Sequence, residues 1–266
     1  MIQVNSIATQ RINMLAVISD IHANRNALSV VLQNLLEMDP DQIICLGDIV
    51  GYGPDPKWCI DAVRSTCDVV LCGNHDSALI YGSDTFSSTA SSAIKYHRQL
   101  LMPRPEDDEQ SGARQRWNFL KSLPHRHAQN GQLFVHGSPR DPVREYLRPS
   151  DAKMDHHEKL QDNFDLIDHI AFVGHTHRPG IFTDDFEFHY PQDMDESFTC
   201  PDDHKAIINV GSIGQPRDGD VRASCITVDD HTVTFHRFEY DNEEEARRIE
   251  QSGLGLKLAE RLRTGQ

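Results

Sequence analysis

Five short segments of this 266-residue chain carry residues that can do chemistry together. They are Asp20-Ile21-His22, Gly47-Asp48, Gly73-Asn74-His75-Asp76, His136-Gly137 and Gly174-His175-Thr176-His177. Among them are two carboxylates (Asp20, Asp48), four imidazoles (His22, His136, His175, His177) and one amide oxygen (Asn74). This mixed N/O donor set contains no cysteine. It suits a pair of divalent transition-metal ions (Mn, Fe, Zn, Ni or Co) rather than a structural cysteine zinc site. In two-metal hydrolases the ions sit a few ångströms apart and share a carboxylate. Asp48 is the natural bridge, because a short acid after a glycine turn can reach both. Such a pair acidifies a water near neutral pH, which is the chemistry of metal-assisted hydrolysis.

Each segment alone has an ordinary reading. Asp20 can cap a helix beginning near Asn24. Gly-Asn builds turns, and a single histidine is more often a core or loop residue than a ligand. Joint placement decides against those readings. Each segment directly follows an apolar run that reads as a buried strand, over 14–19, 42–46, 68–72, 132–135 and 170–173. In an open α/β sheet the carboxyl ends of the strands face one crevice, so groups distant in sequence converge there.

The elements between the motifs follow the same logic. Residues 24–37 place Ala27, Leu28, Val31, Leu32 and Leu35 on one helical face. Residues 56–65 read as a helix opened by Pro56. The resulting βαβαβ order predicts parallel strands joined by right-handed crossovers. Helices are expected over 87–101 and 114–123, with an acidic loop over 102–112. The C-terminal half is richer in β-structure, with strands over 180–189, 205–209, 223–228 and 232–238 and an acidic loop over 193–203. Residues 242–262 read as one charged helix. The whole chain, 1–266, reads as one domain with its core over about 14–240.

Composition narrows the partners. The formal net charge is −15. A surface this acidic repels long nucleic acids, but not a phosphorylated small molecule or nucleotide held by cations. None of the six cysteines forms a CxxC pair, so they read as small core hydrophobes in a reduced, cytoplasmic protein. Residues 1–13 lack an apolar stretch long enough for a signal peptide. No run approaches the roughly eighteen apolar residues of a membrane span.

The series DxH, GD, GNH(D/E), H and GHxH, in this order, resembles the calcineurin-like metallophosphoesterase superfamily over about residues 14–240. SDIHAN at 19–24, GDIVGYGPDP at 47–56, HGSPRDP at 136–142 and NVGSIGQPRDGD at 209–220 resemble a bacterial and archaeal branch related to diadenosine tetraphosphatases and Ser/Thr protein phosphatases. The resemblance implies an α/β fold, a four-layer αββα sandwich of two mixed sheets flanked by helices. Asp20, His22 and His177 resemble the ligands of one metal, and Asn74, His136 and His175 those of the other. Asp48 resembles the bridging ligand. His75 resembles the histidine that contacts the scissile phosphate and can protonate the leaving oxygen, and Asp76 the acid that orients it. The implied activity is hydrolysis of a phosphomonoester or phosphodiester by a metal-bridging hydroxide, with Mn as the expected metal in vitro. Dinucleoside polyphosphates and phosphoproteins are the alternative substrates, and a non-catalytic metal-binding scaffold is the alternative from another class. One position departs from the diadenosine tetraphosphatases, which usually carry Gly where this chain has Ala23.

Outside the motifs, Asn24, Arg140 and Arg217 are candidate phosphate contacts. Their ordinary readings are a helix N-cap for Asn24 and ion pairs with Asp141 and Asp218 for the two arginines. Tyr52 either lines the mouth of the site or packs a turn. His125, His127, His156 and His157 lack strand-end placement and read as surface or loop residues.

Overall fold

A computed structural model describes residues 14–82, 86–153 and 157–266. The first half of the chain runs β1 (Met14–Ile18), α1 (Arg25–Met38), β2 (Gln42–Cys45), α2 (Pro56–Thr66), β3 (Val69–Val70), α3 (Asn74–Tyr81), α4 (Ser88–Leu101), α5 (Gly112–Ser122), β4 (Arg126–Gln129) and β5 (Gln132–Val135). The second half runs α6 (His157–Phe164), β6 (Ile170–Val173), β7 (Gly180–Thr183), β8 (Phe188–His189), β9 (Ser197–Thr199), β10 (Ala206–Asn209), β11 (Ala223–Asp229), β12 (Thr232–Phe238), α7 (Asn242–Ser252) and α8 (Leu256–Thr264).

The strands form two six-stranded sheets, ordered β3-β2-β1-β11-β12-β9 and β4-β5-β6-β10-β7-β8. β1, β2 and β3 pair in parallel, as the βαβαβ order requires, and β11 lies antiparallel to β1. The second sheet has the same plan, with β5, β6 and β10 parallel and β7 antiparallel to β10. Both sheets are therefore mixed.

Period-two alternation assembles the layers. Leu15 and Val17 of β1 meet Ile44, Phe134, Phe172 and Ile208 in an apolar layer between the two sheets. Ala16 and Ile18 face the other way, onto Ala27, Leu28 and Val31 of α1 and Cys59 and Ile60 of α2. In β6, Ile170 and Phe172 join the inter-sheet layer, while Ala171 and Val173 pack on Leu160 and Phe164 of α6. Strands buried on both faces read as continuous apolar runs, which is the signal that located them in the sequence. The result is the expected αββα sandwich.

Several elements differ from the sequence reading, each for a tertiary or turn reason. The expected strand over 180–189 folds back as the β7–β8 hairpin, with Phe186 left-handed (φ 64) in its turn. The acidic stretch 193–203 is not all loop, because β9 pairs with the edge of β12. His157 belongs to α6 and stacks on Phe186 with ring centres 4.6 Å apart. His127 lies on the edge strand β4, and His156 lies outside the described residues, as do residues 1–13. All six cysteines are unpaired, and five of them are buried.

The C-terminal helix is two helices. Gly253 (φ 79) ends α7 in the left-handed conformation that closes helices without Cβ strain, and Gly255 (φ 110) precedes α8. The pair packs through Ala246, Ile249, Leu258 and Leu262 onto Tyr52 and onto Ala90 and Ala93 of α4. Arg248 of α7 reaches Asp55 at 2.5 Å and Glu245 at 3.2 Å, tying the tail to the loop that follows Asp48.

Glu245 is fully buried. Burial pushes its carboxyl up to about 7, with the Arg248 charge opposing the rise. The folded state therefore holds this proton more tightly than the unfolded chain does. Its contribution to stability is complete below about pH 4.5 and declines as the pH rises to about 7. Glu245→Gln is expected to flatten that decline, so its Tm should exceed that of the wild type at pH 8 and converge with it near pH 5. Parallel melting curves at the two pH values check this, and an unchanged slope in the variant would dismiss Glu245 as its source.

Candidate metal centre

Six of the seven donors read from the sequence lie on the loops that leave the carboxyl ends of β1, β2, β5 and β6, and the seventh, Asn74, opens α3 just beyond β3. The loops are stitched to one another by backbone bonds. Asp20 N–H donates to Gly47 O at 3.0 Å, His22 N–H to Asp48 O at 2.9 Å and Gly174 N–H to His136 O at 2.9 Å. Asp20 spans the two sheets, accepting His175 N–H on Oδ2 at 2.9 Å. Asp20, His22, Asp48, His175 and His177 are all left-handed, with φ between 48° and 66°. Such conformations are costly for residues with a Cβ and gather where function over-determines the backbone. Ala23 shares this left-handed geometry at φ 53, a conformation that glycine adopts without Cβ strain. Close approach explains two of the motif glycines. A Cβ on Gly73 would overlap the Asp48 carboxylate, and one on Gly174 would lie 2.5 Å from Asp20 Oδ2.

The donors divide into two groups around Asp48. On one side, His22 Nε2 and His177 Nε2 are 3.1 Å apart, and Asp20 Oδ1 is 3.2 Å from His177 Nε2 and 3.7 Å from His22 Nε2. On the other side, His136 Nε2 is 3.1 Å from Asn74 Oδ1 and 3.2 Å from His175 Nδ1. Asp48 Oδ2 stands between them, 3.6 Å from His22 Nε2 and 3.5 Å from His136 Nε2. Its Oδ1 accepts the backbone N–H of His75 at 2.8 Å, which fixes the carboxylate's orientation. The structure thus brings all seven predicted donors together, and they are buried or nearly so.

The hydrogen bonds on the far side of each ring show what these atoms present to one another. His22 Nδ1 faces Val50 O at 3.0 Å, His177 Nδ1 faces Gln215 O at 2.5 Å and His175 Nε2 faces Arg144 O at 3.2 Å. A carbonyl only accepts, so the facing nitrogen carries the proton, and in a neutral ring the other nitrogen is a bare lone pair. Burial pushes His22, His175 and His177 below the usual histidine range, which favours the neutral rings. Burial likewise lowers His136, to about 4. Lone pairs on His22 and His177 about 3 Å apart repel unless a cation sits between them. Donors held about 2.1 Å from one ion at right angles are about 3.0 Å apart, close to the spacings seen here.

The carboxylates make the same demand. Burial opposes the charge on Asp20, and positive charge on His177, His136 and His22 would outweigh it and hold Asp20 well below the usual carboxylate range, a part that falls to a cation when those rings are neutral. Burial, with Asp20 and Asp76 nearby, pushes Asp48 well above that range. Among the described residues no lysine or arginine forms an ion pair with Asp20, Asp48 or Asp76. Divalent cations would relieve this, so the donor set fits the metals that the sequence implies.

His75 is buried beside the donors, its ring centre 4.8 Å from that of His22, 4.6 Å from Tyr52 and 4.7 Å from Phe86. Its Nδ1 has no hydrogen-bond partner. Asp76 does not orient this ring directly. Its carboxylate accepts the backbone N–H groups of Gly73 (3.1 Å), Ile49 (3.1 Å) and Val50 (3.2 Å). It therefore caps α3, a helix that the sequence pattern does not announce, and clamps the Asp48 loop against it. Tyr52 does line the site, with its ring 4.5 Å from His22 and its backbone left-handed at φ 61.

Two of the three further candidates are spent elsewhere. Asn24 is the N-cap of α1, accepting Ala27 N–H at 3.0 Å, and its amide donates to Gly214 O and to the Tyr240 hydroxyl. That leaves it no donor for phosphate. Arg140 is bound to Glu145 and, at 2.6 Å, to Asp162, neither of which is the expected Asp141. Arg217 is different. Asp218 is taken by Arg237, and Arg217 pairs with no carboxylate among the described residues. Its guanidinium lies over Tyr52 at 5.7 Å, and its charge adds to the burial that depresses His22, His75 and His177. The sequence reading passes over Asn209, whose amide holds the histidine loop by donating to Gly174 O at 2.6 Å and to the Thr176 hydroxyl at 2.9 Å.

A family model described as the calcineurin-like phosphoesterase superfamily domain matches residues 14–232. The uncharacterized protein MJ0912 of Methanocaldococcus jannaschii is 32% identical over 263 residues, covering 96% of this chain and 99% of that protein. Among solved structures, a metallophosphoesterase from Sphaerobacter thermophilus superposes with a TM-score of 0.78 at 34% identity, covering 95% of this chain and 99% of that one. The hypothetical protein PH1004 from Pyrococcus horikoshii OT3 shares the fold with a TM-score of 0.73 at 21% identity, covering 95% and 98%.

Proposed function

Because this chain belongs to the calcineurin-like phosphoesterase superfamily and is a metal-dependent phosphoric ester hydrolase, we propose that it works with a dinuclear centre on small phosphorylated substrates. Asp20, His22 and His177 would hold one ion, Asn74, His136 and His175 the other, and Asp48 both. The observation that carries this reading is the pair of lone-pair clusters on either side of Asp48 Oδ2. When bound, two divalent ions supply an acidified water as nucleophile and neutralise phosphate oxygens.

The protein's own residues do the rest. The backbone carbonyls of Val50, Gln215 and Arg144 fix the histidine tautomers. Arg217 donates to Gln215 Oε1 at 2.9 Å and pairs with no carboxylate among the described residues, so it has further N–H groups to offer a non-bridging oxygen. His75 stands where a leaving oxygen can take its proton, and Asp76 holds the two loops that place it. Retention of the full donor set with His75 favours an enzyme over a scaffold.

Mn is the first choice of metal, since the N/O set admits Fe, Zn, Ni and Co as well. The acidic surface disfavours long nucleic acids. Among the described residues no helix is long and apolar enough to cross a membrane, and the unpaired thiols support a cytoplasmic setting. Dinucleoside polyphosphates and phosphoproteins remain the alternative substrates. A panel of phosphomonoesters, phosphodiesters and dinucleoside polyphosphates, assayed with Mn, Zn, Ni and Mg, tests the proposal. Metal-dependent turnover of at least one class is expected. Absence of turnover throughout, with metals bound, would favour the scaffold.

A further inference from the structure

A cleft of about 420 Å³ opens beside the metal centre and is lined by Tyr146, Arg148, Thr176, Arg178 and Arg217. It adjoins the donors directly. Tyr146 stacks on the ligand His175 with ring centres 3.6 Å apart, and Thr176 separates the two ligand histidines of its loop. Three guanidiniums around one cleft stand out in a chain of net charge −15. Elsewhere arginines are held by carboxylates, as with Arg116 on Asp61, Arg237 on Asp218 and Arg263 on Glu243, or by backbone carbonyls, as with Arg98 on Leu79 and Ile80. Arg148, Arg178 and Arg217 hold no carboxylate among the described residues. The two acids nearest Arg148 in sequence are both taken, Glu145 by Arg140 and Asp151 by Lys159 at 2.5 Å. Arg217 Nε is buried without a partner.

Unpaired, clustered guanidiniums next to a phosphoester site are suited to an anion with several oxygens. One of them, Arg217, lies nearest the donors, over the ring of Tyr52. That leaves Arg148 and Arg178 for charge further out. The aromatic surface of the cleft is already engaged, since Tyr146 carries His175 and the Arg148 guanidinium, whose carbon sits 4.5 Å from the ring centre. The cleft therefore reads charge rather than an aromatic base.

We propose that Arg148 and Arg178 form a subsite for a second phosphate group, so that substrates carry one beside the scissile ester. This rests on the reading of the centre as a phosphoesterase site. The test is calorimetric binding of methylenebisphosphonate and methylphosphonate to the manganese-loaded protein, wild type and the Arg148→Gln/Arg178→Gln double variant. Both positions are exposed, so the variant is expected to fold, and a melting curve confirms it. The wild type should prefer the bisphosphonate, and the double variant should lose about 10–100-fold of that preference, the scale of charge-assisted contacts to phosphate. Chelation of free manganese is common to both proteins and cancels in the comparison. Equal affinity for the two probes in the wild type, or an undiminished preference in the variant, would overturn the subsite. A preference lost in the variant without hydrolysis of any ester would leave the subsite standing and sink the phosphoesterase reading instead. Hydrolysis without any preference would do the reverse.

Discussion

Asp48→Asn is expected to weaken both metals together and to lower turnover by at least about 10²–10³-fold, the scale of losing one preorganised electrostatic stabiliser. The argument is geometric. Asp48 Oδ2 is the one carboxylate oxygen placed between His22 Nε2 at 3.6 Å and His136 Nε2 at 3.5 Å. An asparagine keeps the shape and can still accept the His75 N–H through its carbonyl oxygen. The atom left facing the donors is then an NH₂ group, which has no lone pair to offer and carries no charge. Each cluster retains three other donors, so the loss should be in affinity and stoichiometry, not in fold. Metal analysis after dialysis, alongside melting and turnover, separates these effects. Two tightly retained metals in the variant would contradict the bridging role.

His75→Asn should keep the metals and slow the chemistry by about 10²–10⁴-fold on esters with poor leaving groups, the usual worth of general acid help. His75 lies against His22, within 4.8 Å of ligand atoms of both His22 and Asp48, and its Nδ1 is unpartnered. Each ion already has four donors without it, which leaves His75 to the leaving group and not to a metal. An acid matters most when the departing oxygen is basic. Nitrophenyl esters, whose leaving group needs little protonation, should lose far less than alkyl esters. Comparing kcat for the two classes across wild type and variant is the check. Equal losses would assign His75 to binding phosphate, and loss of metal would make it a ligand.

Much of this centre is legible in sequence because most donors follow apolar strands whose carboxyl ends are buried. That holds for β6 throughout, for β1 beyond Met14, and for β2 and β5 at their last residues, with only β3, a half-buried edge strand, departing from it. Apolar runs mark such strands, and the topology of parallel sheets brings their ends together. What the sequence conceals depends on partners far away in the chain. Arg140 and Arg217 both sit in a Pro-Arg-Asp context, and nothing local distinguishes them. Glu145 and Asp162 claim Arg140, whereas Arg237 removes Asp218 from Arg217, which is left with Gln215 Oε1 at 2.9 Å and no carboxylate among the described residues. The helix at Asn74–Tyr81 is hidden for the same reason. Its cap is a glycine, and the acid that stabilises its start also accepts hydrogens from the loop around Ile49 and Val50. The C-terminal segment carries no motif, yet α7 and α8 pack under Tyr52, whose ring lies against His22 and His75. Periodicity reports that those helices are amphipathic and cannot report what they support.

The central claim is that two ions share Asp48. Anomalous diffraction from crystals of the manganese-loaded protein tests it most directly. Two peaks are predicted. One should be ligated by Asp20, His22, His177 and Asp48, and the other by Asp48, Asn74, His136 and His175, at roughly 2.0–2.2 Å. A single peak, or a pair with Asn74 or His136 turned away, would contradict the account.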